Sequence, residues 1–306
     1  MTLEQLRIFV AVAERQHVTQ AARALNLAQS AASHAIAALE ARHQAKLFCR
    51  VGRRIELTEA GQAFLEEARA VLARVEAAGL VLSEFGGLQR GTLSVQASQT
   101  IAGYWLPRHL VSFKKAYPQI QIRLTIGNTA QVAAAVENGT AELGFVEGVL
   151  ETGRLTCEVV ARDRLFIVVG PEHPWAKGRR LSPADLVEGE WVMREPGSGT
   201  RSAFEEELAR HRIKLSDLRV RLELPSNEAV RAAVEAGLGA TAISASVAAP
   251  SLEAGLLHRA QFPLPERQYY ALRHGGGYRA RTAEALMEMV LKTPGAGAAE
   301  RRGRAK

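Results

Sequence analysis

The sequence predicts an α + α/β protein. A small helical N-terminal region with a β-hairpin leads into one long helix, and an α/β region in two subdomains follows. Three observations carry this. Residues 3–43 place apolar side chains at helical spacing in three short blocks. Phe64, Ala68, Val71, Val75, Ala78 and Leu82 then alternate four and three residues apart, the seam of one long helix. From Thr92 onward strand-like and helix-like segments alternate, the pattern of parallel sheets covered by helices. The composition allows such a fold: of 306 residues 47% are hydrophobic and 23% charged, enough for a well-buried core.

The elements follow in order. Leu3, Leu6, Phe9, Val10 and Ala13 mark the first helix, and Thr19 is positioned to cap a second helix through Leu25. After a turn at Asn26-Leu27, a third helix runs from about Ala28 to Arg42, which makes a helix-turn-helix unit. "LFCRVGRRIELT", Leu47 to Thr58, centres two short β-prone runs on Gly52: a hairpin, or wing, bearing Arg50, Arg53 and Arg54. Thr58 caps the long helix, and its seam suits either a second chain or its own domain. "GGLQRG", Gly86 to Gly91, is the hinge.

Strands are expected at "TLSVQA", "QIQIRLTI", "ELGFVE", Arg164–Val169, Trp191–Arg194, Arg219–Leu224, Ala240–Ser244 and "RQYYALR". Helices are expected at Ile101–Ala116, Ala130–Asn138, Thr200–His211, Asn227–Ala236, Val247–Ala254 and from after the last strand to about Leu291. The organisation is therefore 1–58 winged helix-turn-helix, 59–90 linker helix and hinge, 91–162 with 268–292 one α/β subdomain, 163–267 the other, and 293–306 a basic, disordered tail.

Charge sets a limit on function. The formal net charge is +7, but nine basic and three acidic residues fall between Arg267 and Lys306, against eleven and nine between Met1 and Arg90. Binding to a polyanion must rest on local arrangement. Cys49 and Cys157 lie far apart without metal-ligand spacing, which suits a reducing compartment. With no leader-like N-terminus and no run long enough to span a bilayer, a soluble cytoplasmic protein is expected. No cofactor motif is present.

The third helix carries the functional signal. Ala28, Ala32, Ala35 and Ile36 form one side; Gln29, Ser30, Ser33 and His34 form the other, nearly without charge. Small apolar residues allow close helix packing, while short neutral hydrogen-bonding groups match base edges in a major groove. Wing arginines would meet phosphates, which position without specifying. An ordinary polar surface face has the same pattern.

"TQAARALNLAQSAASHAIAALE", followed by "LFCRVGRRIELTEAG", resembles the N-terminal signature of LysR-type transcriptional regulators, and the likeness continues through "DRLFIVVGPEHPWA". "ASQTIAGYWLP", "GNTAQVAAAV", "GFVEG", "REPGSGTR" and "SNEAVRAAVEAGLG" are similar to the branch regulating sulfur metabolism and carbon fixation. The resemblance implies DNA contacts at Gln29, Ser30, Ser33, His34, Arg50, Arg53 and Arg54. It implies an effector domain built like a periplasmic binding protein, and dimerisation through the linker seam. Its implied partners are double-stranded DNA at an interrupted palindromic operator, a small anionic effector, further copies in a dimer of dimers, and RNA polymerase, with no membrane. Ala28 stands where the family commonly has a capping Ser, a loss of about 1 kcal/mol. His43-Gln44 replaces a usual Leu-Gly, which costs roughly another 1 kcal/mol if the helix ends left-handed.

Four strand-to-helix junctions carry small polar residues, where open α/β sheets bind ligands: Ser98–Thr100, Asn128-Thr129, Gly197–Thr200 and Ser226-Asn227. From these the expected effector residues are Ser98, Thr100, Asn128, Thr129, Ser198, Gly199 and Thr200. Arg201 adds charge, and Glu147 selects a ligand donor or pairs with an arginine. Hydroxyls and helix N–H groups suit a small oxyanion or carboxylate. Each junction alone is also an ordinary cap. A solute-binding protein accounts for 91–292 but not for the first 58 residues, and an enzyme lacks any nucleophile, metal or nucleotide motif.

Overall fold

The computed structural model describes residues 1–51, 54–84, 91–148, 153, 155–275 and 280–292; the side chains of 51, 54, 76, 77 and 80–84 are outside the description. The expected hinge at 86–90, Arg53 and the tail 293–306 therefore lie outside the described residues. The rest divides into two compact units, one built on Met1–Leu82 and the other on the chain beyond it.

In the first unit, α1 (Leu3–Arg15) starts at a capping box in which Thr2 and Gln5 satisfy each other's backbone N–H groups. Its apolar stripe buries Leu6, Phe9 and Val12. Helix α2 (Val18–Ala24) is capped by His17, whose Nδ1 accepts from Gln20 N, not by Thr19 as the sequence suggested. An imidazole nitrogen thus fills the acceptor role normally given to a hydroxyl. Helix α3 (Gln29–His43) begins at Ala28 with no side-chain cap and ends at Gln44 with φ 50°. Strands β1 (Phe48–Val51) and β2 (Arg54–Leu57) pair antiparallel, Phe48 opposite Leu57. Helix α4 (Glu59–Glu84) starts where Thr58 Oγ1 accepts from Gly61 N at 3.0 Å. The core gathers round Phe9, with ring centroids of Phe64 and Phe48 at 4.9 and 5.4 Å. Leu65 and Ala68 are buried in it and Phe64 and Leu72 pack against it. Ala68 is thus engaged with its own domain, and the exposed part of the seam begins at Val71, continuing through half-buried Val75 and exposed Ala78.

The second unit opens with β3 (Gly91–Ser98), α5 (Gln99–Tyr104) and α6 (Leu106–Ala116). One helix over 101–116 was expected; it breaks at Trp105, because Pro107 has no N–H for Gly103 and its ring crowds that carbonyl. Then come β4 (Ile120–Gly127), α7 (Thr129–Glu137), β5 (Leu143–Glu147) and β6 (Leu155–Val169). The sequence suggested a strand only from Arg164. The earlier residues lack an apolar run, and pairing with β11 makes them a strand. The chain continues through α8 (Pro183–Glu188), β7 (Glu190–Arg194), α9 (Gly199–Arg210), β8 (Arg219–Leu224), α10 (Asn227–Glu235), β9 (Ala240–Ser244) and α11 (Ala245–Glu253). It closes with β10 (His258–Arg259), β11 (Glu266–His274) and α12 (Arg281–Lys292).

The strand order is β4-β3-β5-β11-β6-β9-β7-β8, with β10 beside β6. Strands β3, β4 and β5 are parallel, as are β7, β8 and β9. The expectation of parallel sheets fails for β6 and β11, which run antiparallel to each other and to their outer neighbours. These two strands join the halves: β6 pairs with β11 up to Arg164 and with β9 from Leu165. Each half has its own core, one including Phe113, Phe145 and Leu286, the other centred on Trp191 and Phe204. A smaller cluster around Val230 and Ile243 lies under α10 and α11.

His109 on α6 is buried, 4.5 Å ring to ring from Trp105. Burial and the adjacent Arg108 push its pKa down to about 4 from 6.5. Between those values the unfolded chain holds a proton that the native state refuses, so stability falls as pH drops through that window. Urea midpoints of the parent and of His109→Gln at pH 7 and pH 5 check this: the parent should lose more on acidification.

Candidate functional site

The residues singled out in the sequence fall in two groups in the structure. On α3, Gln29, Ser30 and His34 are exposed and Ser33 is half-buried, while Ala32 is fully buried. Gln29 Nε2 donates to Ser33 Oγ at 3.2 Å, one turn on, so these two side chains present a joint surface. Arg50 is exposed on β1; Arg54 stands opposite Val51 in β2. The α3 face is uncharged and polar, and the wing brings the cations.

The second group lies where the two α/β halves meet. Ser98, at the end of β3, donates to Glu147 Oε2. Thr129 Oγ1 donates to Glu147 O at 2.8 Å, tying α7 to β5. Gly199 opens α9 directly against this point: a Cβ there would lie 1.9 Å from Glu147 O and 2.5 Å from Thr129 Oγ1. Only glycine allows the helix start to approach the strand end so closely. Ser198 is buried at the same corner.

Direct bonds cross between the halves. Asn227 Nδ2 donates to Thr100 Oγ1 at 3.0 Å, and Asn227 N donates to Gln99 Oε1 at 2.9 Å. Gln99 Nε2 reaches Pro225 O at 2.9 Å. Asn128 Nδ2 lies 3.4 Å from both Glu195 Oε1 and Pro196 O, and Ala130 N donates to Gly197 O at 3.2 Å.

A charged core supports the junction. Arg267, on β11, donates from Nε to Asp163 Oδ2 at 2.8 Å and from Nη1 to Thr200 Oγ1 at 3.1 Å. Its Nη1 stands 3.8 Å from Glu147 Oε1. Its Nη2 is 2.7 Å from Asp163 Oδ2, close enough for charge pairing but out of line for a hydrogen bond. Ser244 Oγ donates to the other Asp163 oxygen at 2.9 Å. Burial alone would lower the Arg267 pKa; Glu147 and Asp163 outweigh it and hold the guanidinium charged. Burial, reinforced by Asp163, keeps the Tyr269 phenol protonated. Arg194 is buried too, pairing with Glu195 at 2.7 and 2.9 Å and donating to Asn227 Oδ1.

One expectation is overturned. Arg201 does not add its charge to the junction: its Nε pairs with Glu205 at 2.7 Å and its Nη1 lies 3.0 Å from Glu223 Oε2 and from Arg194 O. These carboxylates outweigh burial and raise its pKa. Its position after "GSGT" suggested the site, but the i,i+4 glutamate takes it. Glu147 does pair with an arginine, Arg267. Sequence reading did not single out Arg194, Arg267 or Asp163 at this junction, and it named Asn227 only as part of a polar strand-to-helix junction. The available signal was an arginine at the end of an otherwise apolar strand, as in "WVMR". Among the described residues no group of three or more His, Cys, Asp or Glu side chains could hold a metal ion.

A helix-turn-helix with a wing, joined to a two-part α/β binding domain, defines a ligand-responsive DNA-binding regulator as the class. Residues 3–62 match "Bacterial regulatory helix-turn-helix protein, lysR family" and residues 86–294 match "LysR substrate binding domain". The chain belongs to the LysR family of transcriptional regulators. It is 32% identical to the "Probable RuBisCO transcriptional regulator" of Trichormus variabilis over 95% of this chain and 88% of that one. The structure of full-length CbnR with its target DNA is similar at 25% identity and a TM-score of 0.68, covering 95% of this chain and 99% of that one. The regulatory domain of Synechocystis PCC6803 CcmR, solved with 2-PG, is 26% identical with a TM-score of 0.62, covering 68% of this chain and 100% of that one.

Replacing Arg267 with Met should leave Asp163 and Glu147 buried without their cation. A loss of about 3–5 kcal/mol in unfolding free energy is expected, measured by urea denaturation of the full chain.

Proposed function

We propose that this regulator's DNA binding is controlled by a small anion held where the two α/β halves meet. One observation supports this above the others. Thr100 and Thr200 each accept a hydrogen bond, from Asn227 and Arg267, and among the described residues neither hydroxyl is used as a donor. A hydroxyl that accepts still has its own hydrogen to give. Thr100 belongs to the first half and Thr200 to the second, so one acceptor-rich ligand could take both hydrogens. Ser98, Asn128, Thr129, Glu147, Ser198 and Gly199 then shape the site, with Ser98 and Thr129 engaged by Glu147 and so indirect. Cations are already balanced by carboxylates, which favours neutral donors over net charge as the means of holding the ligand.

On the DNA side, Gln29, Ser30, Ser33 and His34 read bases from α3, and Arg50, Arg53 and Arg54 meet phosphates from the wing. The operator is an interrupted palindrome because α4 pairs two chains along Val71, Val75, Ala78 and Leu82, and two such dimers associate. RNA polymerase is the further partner, and the cytoplasm is the site of action. Among the described residues no helix is long and apolar enough to cross a membrane. The names of the relatives are those of regulators, so an enzymatic role is not proposed.

Two experiments test this. The first uses a duplex that the parent protein selects from a random pool, with mixed-sequence DNA as control. Gln29→Ala should reduce the preference between them, whereas Arg50→Ala should weaken both alike and flatten the salt dependence. Equal behaviour of the two variants would refute the division of labour. The second is calorimetry with sulfite, sulfate, thiosulfate and small carboxylates on the parent and on Thr100→Val. The variant should lose about 1–3 kcal/mol of affinity for whichever of these alters DNA binding. Unchanged affinity would remove Thr100 from the site.

A further inference from the structure

Three consecutive residues, Lys46–Phe48, are gripped from two helices at once. From α3 comes Glu40, whose side chain is 9% exposed. Its Oε1 accepts from Leu47 N at 2.9 Å and from Phe48 N at 3.2 Å, and its Oε2 pairs with Lys46 Nζ at 2.7 Å. From the start of α4 comes Thr58. Its Oγ1 donates to Lys46 O at 2.6 Å, and its N donates to Leu47 O at 3.0 Å. Gly61, one turn into α4, lies so close that a Cβ would stand 2.0 Å from Leu47 O. Side chains fasten the same segment: Leu47 is buried with Leu39 and Leu65, and the Phe48 ring meets Phe9. β1 begins at Phe48, and Arg50 follows two residues later.

The N–H groups face a buried carboxylate on α3, and the carbonyls face the cap of α4. Burial disfavours the Glu40 charge, but Lys46 and the two backbone N–H groups outweigh it and lower the pKa. The carboxylate is therefore held ionised as an acceptor. Helices α3 and α4 thus hold the same three residues, and those residues lead directly into the wing.

We infer that Lys46–Phe48 is the joint through which the linker helix sets the wing against the recognition helix, with Glu40 and Thr58 as positioning residues for DNA binding. The inference rests on the reading that the wing arginines meet phosphates. It adds a route by which the angle of α4 reaches the DNA surface without any residue of the joint touching DNA.

The test is the salt dependence of binding by the full chain to a mixed-sequence duplex, taken on the binding-competent fraction so that loss of folded protein does not imitate the effect. Each lost phosphate contact should reduce the log–log slope by about 0.9. Arg50→Ala sets the scale. Glu40→Ala and Thr58→Val should each reduce the slope at least as much. Combining Glu40→Ala with Arg50→Ala should go no further than Glu40→Ala alone, because both remove the same contact. Glu40→Gln, whose amide oxygen still accepts from both N–H groups, should keep the parent slope. Loss of the carboxylate charge is common to Glu40→Ala and Glu40→Gln, so a difference in slope between the two reports the backbone hydrogen bonds and not the charge. If Arg50→Ala flattens the slope while Glu40→Ala and Thr58→Val do not, the joint is refuted and the wing reading stands. If Arg50→Ala leaves the slope unchanged, the wing reading fails and the joint with it.

Discussion

The guanidinium of Arg267 sits where the two long strands β6 and β11 pass between the α/β halves. It is buried, it faces Asp163 across the strand pair, and it reaches Thr200 at the start of α9. A buried charge is tolerated only when it is paired and hydrogen-bonded, so the surrounding groups are constrained by it. Asp163 must face inward and Ser244 must turn its hydroxyl to it. Thr200 must offer its oxygen, which leaves its hydrogen for another acceptor. Glu147 completes the set from the first half. One cation thus aligns the end of β5, the middle of β6, the end of β9 and the start of α9.

Around that cation the halves approach without intervening side-chain bulk. Gly148 and Gly199 stand back to back, with a Cβ on Gly148 only 3.0 Å from Gly199 Cα. Close approach lets backbone and short side chains bond directly between halves, as Asn227 does to Thr100. Such bonds hold the junction shut by small increments, each worth about 1 kcal/mol net. A ligand that replaces one set of cross-bonds with another gains only its difference in affinity between the closed and open forms. That difference sets how far it can shift the protein.

The DNA-binding unit solves a different problem. Helix α3 keeps one face short, polar and uncharged, so its stability comes from elsewhere. It lacks a side-chain cap at Ala28 and ends at a left-handed Gln44. Both features weaken a helix taken alone. Packing of Ala32 against the cluster with Val12 and Ala21 offsets this, and Glu40 ties the far end to the wing. The polar face of α3 is thereby relieved of any part in holding the helix together.

Much of this was legible in the chain. Helices α1, α3 and α4 show their periods plainly, and the small polar junctions drew notice to Thr100 and Thr200, both of which are buried where the halves meet. Their separation by one hundred positions in the chain did not hide them, because each junction has a local signature. Other features had none. His17 as a cap, the break at Trp105 and the early part of β6 arise from competition among local preferences that only packing decides. Arg201 and Arg267 look alike in the sequence; one is captured by Glu205 a turn away, the other reaches residues more than one hundred positions off. The sequence by itself determined the strongly periodic helices and most of the apolar strands, where the polar junctions lie and which family the pattern resembles, because hydrophobic period and turn chemistry are short-range. The tertiary structure decided which charges are neutralised, which hydroxyl hydrogens are left over and how the wing is held. Electrostatics and hydrogen bonding depend on distance in space, and chain order does not encode that distance.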